Sequence, residues 1–453
     1  MRLLAALGVS FVALAGAGAG GPEVDISQAE SAQVEPAIAI DPSNPDVLVA
    51  GSNSFQEGSM RVYGSTDGGE TWTSGFLYPA PATFVTSCAS DPGVAIDADG
   101  RQYYSFVRTT PCRTGRPRLY VASRAGPTAP WGAPMLVAPI PKTAILDDKP
   151  AIAVDASPIS PRRNRVYVAW SRLSRRTTFA IRLSWSDDGG KRWAPPVPVS
   201  RTGDEESYAS IGISRRGTVY VAWDDASTYS LKIAASTDGG AHFGPEHKAA
   251  SFSIVPIPHC GSGTVIAAQL LSCVKANPIV SVDRSGGPSA GRVYVSYART
   301  AVTGVQGIFV TVLDSRLKVI GGSATSPAPV PVAPVPGPER TRPERFWPAS
   351  AVDSSDGALW VCFYDTTGDP EQRRVHYVCT ISRDGGKTWA KPVRAASVAS
   401  DETQQGADAR QYGDYEGLAV AKGVAHPIWT DSRDLATLGE EIYTTRLVES
   451  DFR

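Results

Sequence analysis

The sequence predicts an all-β chain of four-stranded antiparallel blades closed into a ring, and three observations carry that prediction. Four segments follow one template: STDGGETW (65–72), SDDGGKRW (186–193), STDGGAHF (236–243) and SRDGGKTW (382–389). Each stands behind an alternating apolar run such as FAIRLSW or VHYVCTI. Asp-Gly and Gly-Gly after a strand signal a hairpin, because tight turns take residues that tolerate positive φ. A second, longer repeat surrounds these turns. The third observation is composition: 43 Gly and 36 Pro in 453 residues supply the turns that many short strands need.

The longer repeat pairs an inner phrase with a second strand some ten residues on. Inner phrases begin at Pro36 (PAIAID), Pro92 (PGVAID), Pro150 (PAIAVD), Ala209 (ASIGIS), Pro278 (PIVSVD), Pro348 (PASAVD) and Glu416 (EGLAVA). Their partners are VLVAG, QYYSF, VYVAW, VYVAW, VYVSY, LWVCF and HPIWT. The spacing of about 55 to 70 residues reads as the blades of a β-propeller. Ala, Ser and Gly crowd the inner phrases because those strands surround a central channel. Seven blades are favoured; six remain open if unit two, which lacks the Asp-Gly-Gly turn, is something else. The seventh unit supplies three strands ending in EIYTTRLV, so EVDIS (23–27) is expected to add the fourth and close the ring. The run SPAPVPVAPVPGPERTRP (326–343) cannot be a central strand and is expected as an extended connection between blades five and six.

Composition narrows the function classes. Hydrophobic residues at 42% and charged residues at 20% describe a folded chain rather than a disordered one. A net charge of −1 gives no ground for nucleic acid or an anionic membrane as partner. Five scattered His, with neither CxxC nor HExxH and no EF-hand spacing, imply no cofactor and no metal. The opening MRLLAALGVSFVALAGAGA reads as a secretory signal peptide over 1–19, cut near Ala19, ahead of a single propeller domain over 23–449. No other segment is long enough to span a bilayer. A secreted monomer is therefore expected. Six Cys in an exported chain argue for disulfides: Cys88 and Cys112, Cys260 and Cys273, and Cys362 and Cys379 are close in sequence, although fifteen pairings stay open.

Propeller topology gathers chemistry on one face. The start of each inner strand and the end of its partner share that face. Residues just before the inner phrases include Asp147, Asp148, Lys149, Glu206, Tyr208, Asn277, Arg345, Trp347, Asp414 and Tyr415. Those just after the partners include Arg172, Asp224, Arg299, Tyr364, Asp365, Asp431 and Arg433. Paired carboxylates suit glycosidic cleavage, Arg suits a substrate carboxylate, and aromatics offer flat faces to sugar rings.

The Ser-x-Asp-Gly-Gly-x-x-aromatic turn resembles the Asp-box, or bacterial neuraminidase repeat, of the sialidase-like β-propellers. That resemblance implies hairpins between the third and fourth strands of a blade, away from the substrate face, with Asp67, Asp188, Asp238 and Asp384 as turn-builders. Sialidases use a Tyr nucleophile near the start of the last inner strand. GDYEG (413–417) places Tyr415 there, with Asp414 or Glu416 beside it. The resemblance then implies Asp148 and Asp365 as acid/base residues and Arg172, Arg345 and Arg433 as the carboxylate clamp. Asp414, Asp431 and Trp347 complete the expected substrate contacts. One departure is plain: where the first blade of catalytic sialidases opens with Arg-Ile-Pro, this chain has Val34-Glu35-Pro36. The leading reading is an exo-glycosidase acting on a glycan, with exo-α-sialidase-like hydrolysis of terminal sugars. A non-catalytic propeller that binds carbohydrate or protein on the same face is the second. A polysaccharide lyase using His259, His376 or His426 as base is the third.

Overall fold

The computed structural model describes residues 20–29, 31–54, 57–77, 87–175, 178–201, 205–251, 263–300, 305–323, 326–334, 342–404, 411–435 and 438–453. Seven four-stranded antiparallel blades form the ring, with no α-helix among the described residues. Their inner strands are Gln33–Ile40, Cys88–Ile96, Ala144–Val154, Glu206–Ile213, Ile279–Val282, Arg345–Val352 and Gly417–Ala421. Unit two is a complete blade, so the count is seven and not six. The ring closes as expected: Val24–Asp25 pairs with Glu441–Thr444 as the outer strand of blade seven, in the register Val24↔Thr444 and Asp25↔Tyr443.

The four Ser-x-Asp-Gly-Gly turns join the third and fourth strands of blades one, three, four and six. In the first, Ser65 Oγ donates to Asp67 Oδ1 (2.7 Å), which also accepts from the Thr71 amide (3.0 Å). Trp72 Nε1 reaches back to the Gly69 carbonyl (3.1 Å). The other aspartates accept likewise from the amides of Arg192, His242 and Thr388. Each turn docks on the preceding blade. Ser123 Oγ donates to the Gly189 carbonyl (3.0 Å), Arg165 to Gly239 (2.8 Å) and Arg292 to Gly385 (3.2 Å). The turns are therefore fasteners between blades.

Apolar layers fill the space between neighbouring blades. Tyr167, Ile181 and Leu183 of blade three pack on Val219, Val221 and Trp223 of blade four, all buried. Two disulfides match the sequence pairs: Cys88–Cys112 in blade two, and Cys362–Cys379 across the second and third strands of blade six. Cys273 is disulfide-bonded, but Cys260 lies outside the described residues, as do His259 and the segment 1–19.

One expectation needs correction. Within the Pro-rich run, Val330–Pro331 is the outer strand of blade five and pairs with Phe309 and Val310. Proline is tolerated there because an outer strand has one free edge. A hairpin, Thr264–Ile266 with Gln269–Val274, lies between blades four and five and was not foreseen.

Candidate active site

Six of the seven blades share one backbone device at the heads of their inner strands. Six non-glycine residues at the heads of the inner strands have positive φ: Glu35 (57°), Asp91 (59°), Lys149 (49°), Tyr208 (54°), Asn277 (43°) and Trp347 (45°). Five sit at a register shift against the second strand, between Val34 and Ala37, Ser90 and Gly93, Asp148 and Ala151, Ser207 and Ser210, and Phe346 and Ala349. A bulge of this kind bends a strand and re-aims one side chain. Each left-handed residue costs about 1–2 kcal/mol, and such strain concentrates at functional sites. Tyr415 holds the corresponding place in blade seven, just ahead of Glu416-Gly417.

Lys149 is the hub of this ring. Its Nζ lies 2.8 Å from Asp91, 2.8 Å from Asp414 and 3.6 Å from Glu35, joining blades one, two, three and seven across the channel mouth. Tyr208 donates to Asp414 Oδ2 (2.9 Å), and Asn277 Nδ2 donates to the Asp414 carbonyl (3.1 Å). Asn53 links the first two blades, donating to Glu35 (2.6 Å) and accepting from the Asp91 amide (3.0 Å). Below lies a cavity of about 250 Å³ lined by inner-strand Ala and Pro together with Lys149, Tyr208, Asn277 and Tyr415.

Burial dominates the electrostatics here. It pushes Glu35 up to about 8 against the pull of Lys149, with Asp414 and Asp91 adding to the rise. Burial and then the charge of Asp91 raise Asp148 to about 6. Burial works against the Lys149 ammonium too, but Asp91, Glu35 and Asp414 outweigh it and hold its pKa well above the ordinary value. The Asp414 carboxyl is lowered because Lys149 overcomes its burial. Burial, then Glu35 and Asp91, keep Tyr415 protonated far above the usual phenol range. Its hydroxyl donates to the Pro92 carbonyl at 3.4 Å, and Lys149 Nζ lies 5.9 Å from its ring centre.

The expected site residues divide into two groups. Asp148, Asp414 and Tyr415 meet at this mouth. Glu416 also lines the cavity, but its carboxyl is taken up by other partners, and the rest stand elsewhere, each held locally. Glu416, next to Tyr415 in the strand, points away and binds the Tyr364 hydroxyl (2.8 Å) and the Thr430 amide (3.1 Å). Asp365 pairs with Arg345 (3.0 Å), whose Nη1 also donates to the Ala333 carbonyl (2.5 Å). Asp431 pairs with Arg433 (2.7 Å), which also binds Glu23 (2.6 Å). Arg172 is bidentate on Asp147, at 2.6 and 2.9 Å. The three guanidiniums thus lie in blades three, six and seven, and none of them lines the axial cavity. Trp347 is fully buried, its Nε1 on Gln269 of the extra hairpin (3.2 Å). His376 binds the Ala396 carbonyl in blade six, and His426 is buried beside Gly69 of blade one. Glu35 and Asp91 were missed as site residues. The rule "last residue before the inner phrase", applied to all seven units, selects both.

No family model matches the chain, and no curated protein matches it. Solved structures do. An ulvan lyase bound to -[GlcA(1-4)Rha3S]- is 10% identical, with a TM-score of 0.53 over 95% of this chain and 98% of that one. A Dyadobacter fermentans protein of unknown function is 17% identical, with a TM-score of 0.50 over 79% of this chain and 97% of that one. An intramolecular trans-sialidase from Ruminococcus gnavus is 12% identical, with a TM-score of 0.48 over 98% of each chain. Such likeness speaks for fold alone. The chain has the seven-bladed β-propeller fold that its repeats imply.

Proposed function

We propose that this protein acts on glycans as an exo-glycosidase, with its reaction centre at the axial mouth. The observation that carries the reading is the gathering of Asp148 and Tyr415 around Lys149, with Lys149 and Tyr415 lining one cavity. Asp148, raised to about 6, is matched to deliver a proton to a glycosidic oxygen and to retrieve one from water. Tyr415 is the group assigned to the anomeric carbon, as nucleophile or as stabiliser of developing positive charge. Asp91 and Asp414 are the carboxylates that would take its proton. Asp414 also positions Tyr208 and Lys149. With no Arg among the cavity's described lining residues, the sugar taken at the axis is neutral rather than carboxylated.

Export of a monomer fits this reading. Two disulfides suit an oxidising compartment, and no helix is long and apolar enough to cross a membrane. The second reading, a binding propeller, is favoured by the ion pairs that occupy Lys149 fully. A panel of fluorogenic glycosides, neutral and sialylated, separates the two. Turnover on a neutral glycoside that collapses in Tyr415→Phe supports the enzyme. Silence across the panel from folded protein, with saturable sugar binding, supports the binding propeller.

A further inference from the structure

We propose that the rim of the same face carries a second, oxyanion-binding groove, formed in blade three by Lys142, Arg172, Arg175 and Arg182, and that its ligand is an anionic saccharide. The groove encloses about 680 Å³ and, among the described residues, no carboxylate lines it. Lys142 and Arg175 are exposed, while Arg172 and Arg182 are half-buried. Arg172 is neutralised from behind by Asp147. Arg182 is not so matched: burial and the repulsion of Arg172 disfavour its charge, against the weaker attraction of Glu206 and Asp147. An oxyanion between the two guanidiniums would relieve that repulsion.

The groove is built rather than a loose patch. Its floor is closed by the Arg175 amide on the Thr143 carbonyl (2.8 Å). Its wall, 139–145, is held by Arg116 on the Pro141 and Ile145 carbonyls (3.3 and 3.1 Å) and by Arg172 on the Pro139 carbonyl (3.5 Å). Ser174 and Thr178 share a hydrogen bond (2.7 Å) and present hydroxyls along it.

The chemistry selects the ligand. With no aromatic side chain among the lining residues, a nucleobase has no platform to stack on. The volume far exceeds one inorganic oxyanion. Arg172 and Ser174 end a second strand and Ala144 begins an inner one, so the groove opens on the face of the axial mouth. A chain with a neutral end sugar and sulfate or carboxylate groups further along would engage both. The oxyanion part of this proposal stands on the groove alone; the saccharide part rests on the glycan reading above.

The test is fluorescence-anisotropy binding to the full chain. Probes are a heparin-derived hexasaccharide, a hexagalacturonate, neutral maltohexaose and a single-stranded DNA oligonucleotide. At least one anionic sugar is expected to bind about tenfold or more tighter than maltohexaose, and binding should weaken as salt rises. The sulfated and the carboxylate-only probes tell which oxyanion is taken. Arg175→Gln/Arg182→Gln should raise Kd about tenfold. Should that variant fail to fold, Lys142→Gln/Arg175→Gln on the exposed side serves instead. Folded wild-type chain that binds an anionic probe but turns over no glycoside overturns the catalytic reading and not this one. Equal binding by wild type and variant, equal binding of maltohexaose, or tighter binding of DNA overturns the groove.

Discussion

Lys149 decides the character of the axial mouth. One ammonium faces two buried carboxyls, Glu35 and Asp91, and the half-buried Asp414, and removing it takes away their shared cation. Breaking a buried pair from one side costs about 3–5 kcal/mol. Lys149→Met is therefore expected to lose a stability in that range by chemical denaturation, whereas Lys275→Met, over the Tyr208 ring, should lose under about 1 kcal/mol. Glu35 supplies a pH signature. Folded, it keeps its proton to about pH 8; unfolded, it releases it near 4.5. The folded chain thus holds more protons in that window. The contribution is full below about pH 4.5 and is lost as pH climbs to about 8. Glu35→Gln should flatten the fall in stability across the window, by at most ~1.4 kcal/mol per pH unit. Urea unfolding of both proteins at pH 5 and pH 8 measures it. From the sequence, Glu35 reads only as a missing Arg. What it does instead depends on the Lys that blade three sends across the axis, and no local pattern shows that.

At the scale of strands and turns, the sequence is most legible where structure is local. The Asp-Gly-Gly turns need positive φ, and they appear where the template stands, with Gly190 at 83° and Gly240 at 91°. Gly240→Ala should cost about 1–2 kcal/mol or more, since its Cβ would also meet Leu183 Cδ2 at 3.0 Å. Breaking Cys362–Cys379 with Cys379→Ser should cost about 2–4 kcal/mol, read from thermal unfolding. Outer strands such as Met135–Leu136 and Val197–Pro198 are two residues long, too short to show an alternation. For the same reason the outer strand of blade five hides in a Pro-rich run. The expected Arg clamp fails for another reason: Arg172, Arg345 and Arg433 each find a carboxylate in their own blade, at the strand end where they were read. Position along a blade is written in the sequence; radial direction is not.

Across the whole molecule, the ring exists because its first strand completes its last blade. The segment before blade one also ties in through side chains: Glu23 binds Arg433, and Glu441 accepts from the Ala29 amide (3.1 Å). Deleting residues 20–29 should leave the edge of Glu441–Thr444 unpaired. The expected outcome is concentration-dependent association in light scattering, absent from the full chain. The closed ring is also what brings seven distant strand heads to one mouth, and the central claim is that chemistry happens there. The most direct test is kcat/KM against pH for wild type and Asp148→Asn on whichever neutral glycoside is turned over. The account predicts a limb that falls above about pH 6, and a loss of about a hundredfold or more in the variant, with the limb gone. A profile unchanged by Asp148→Asn, or no turnover of any glycoside by folded protein, would contradict it.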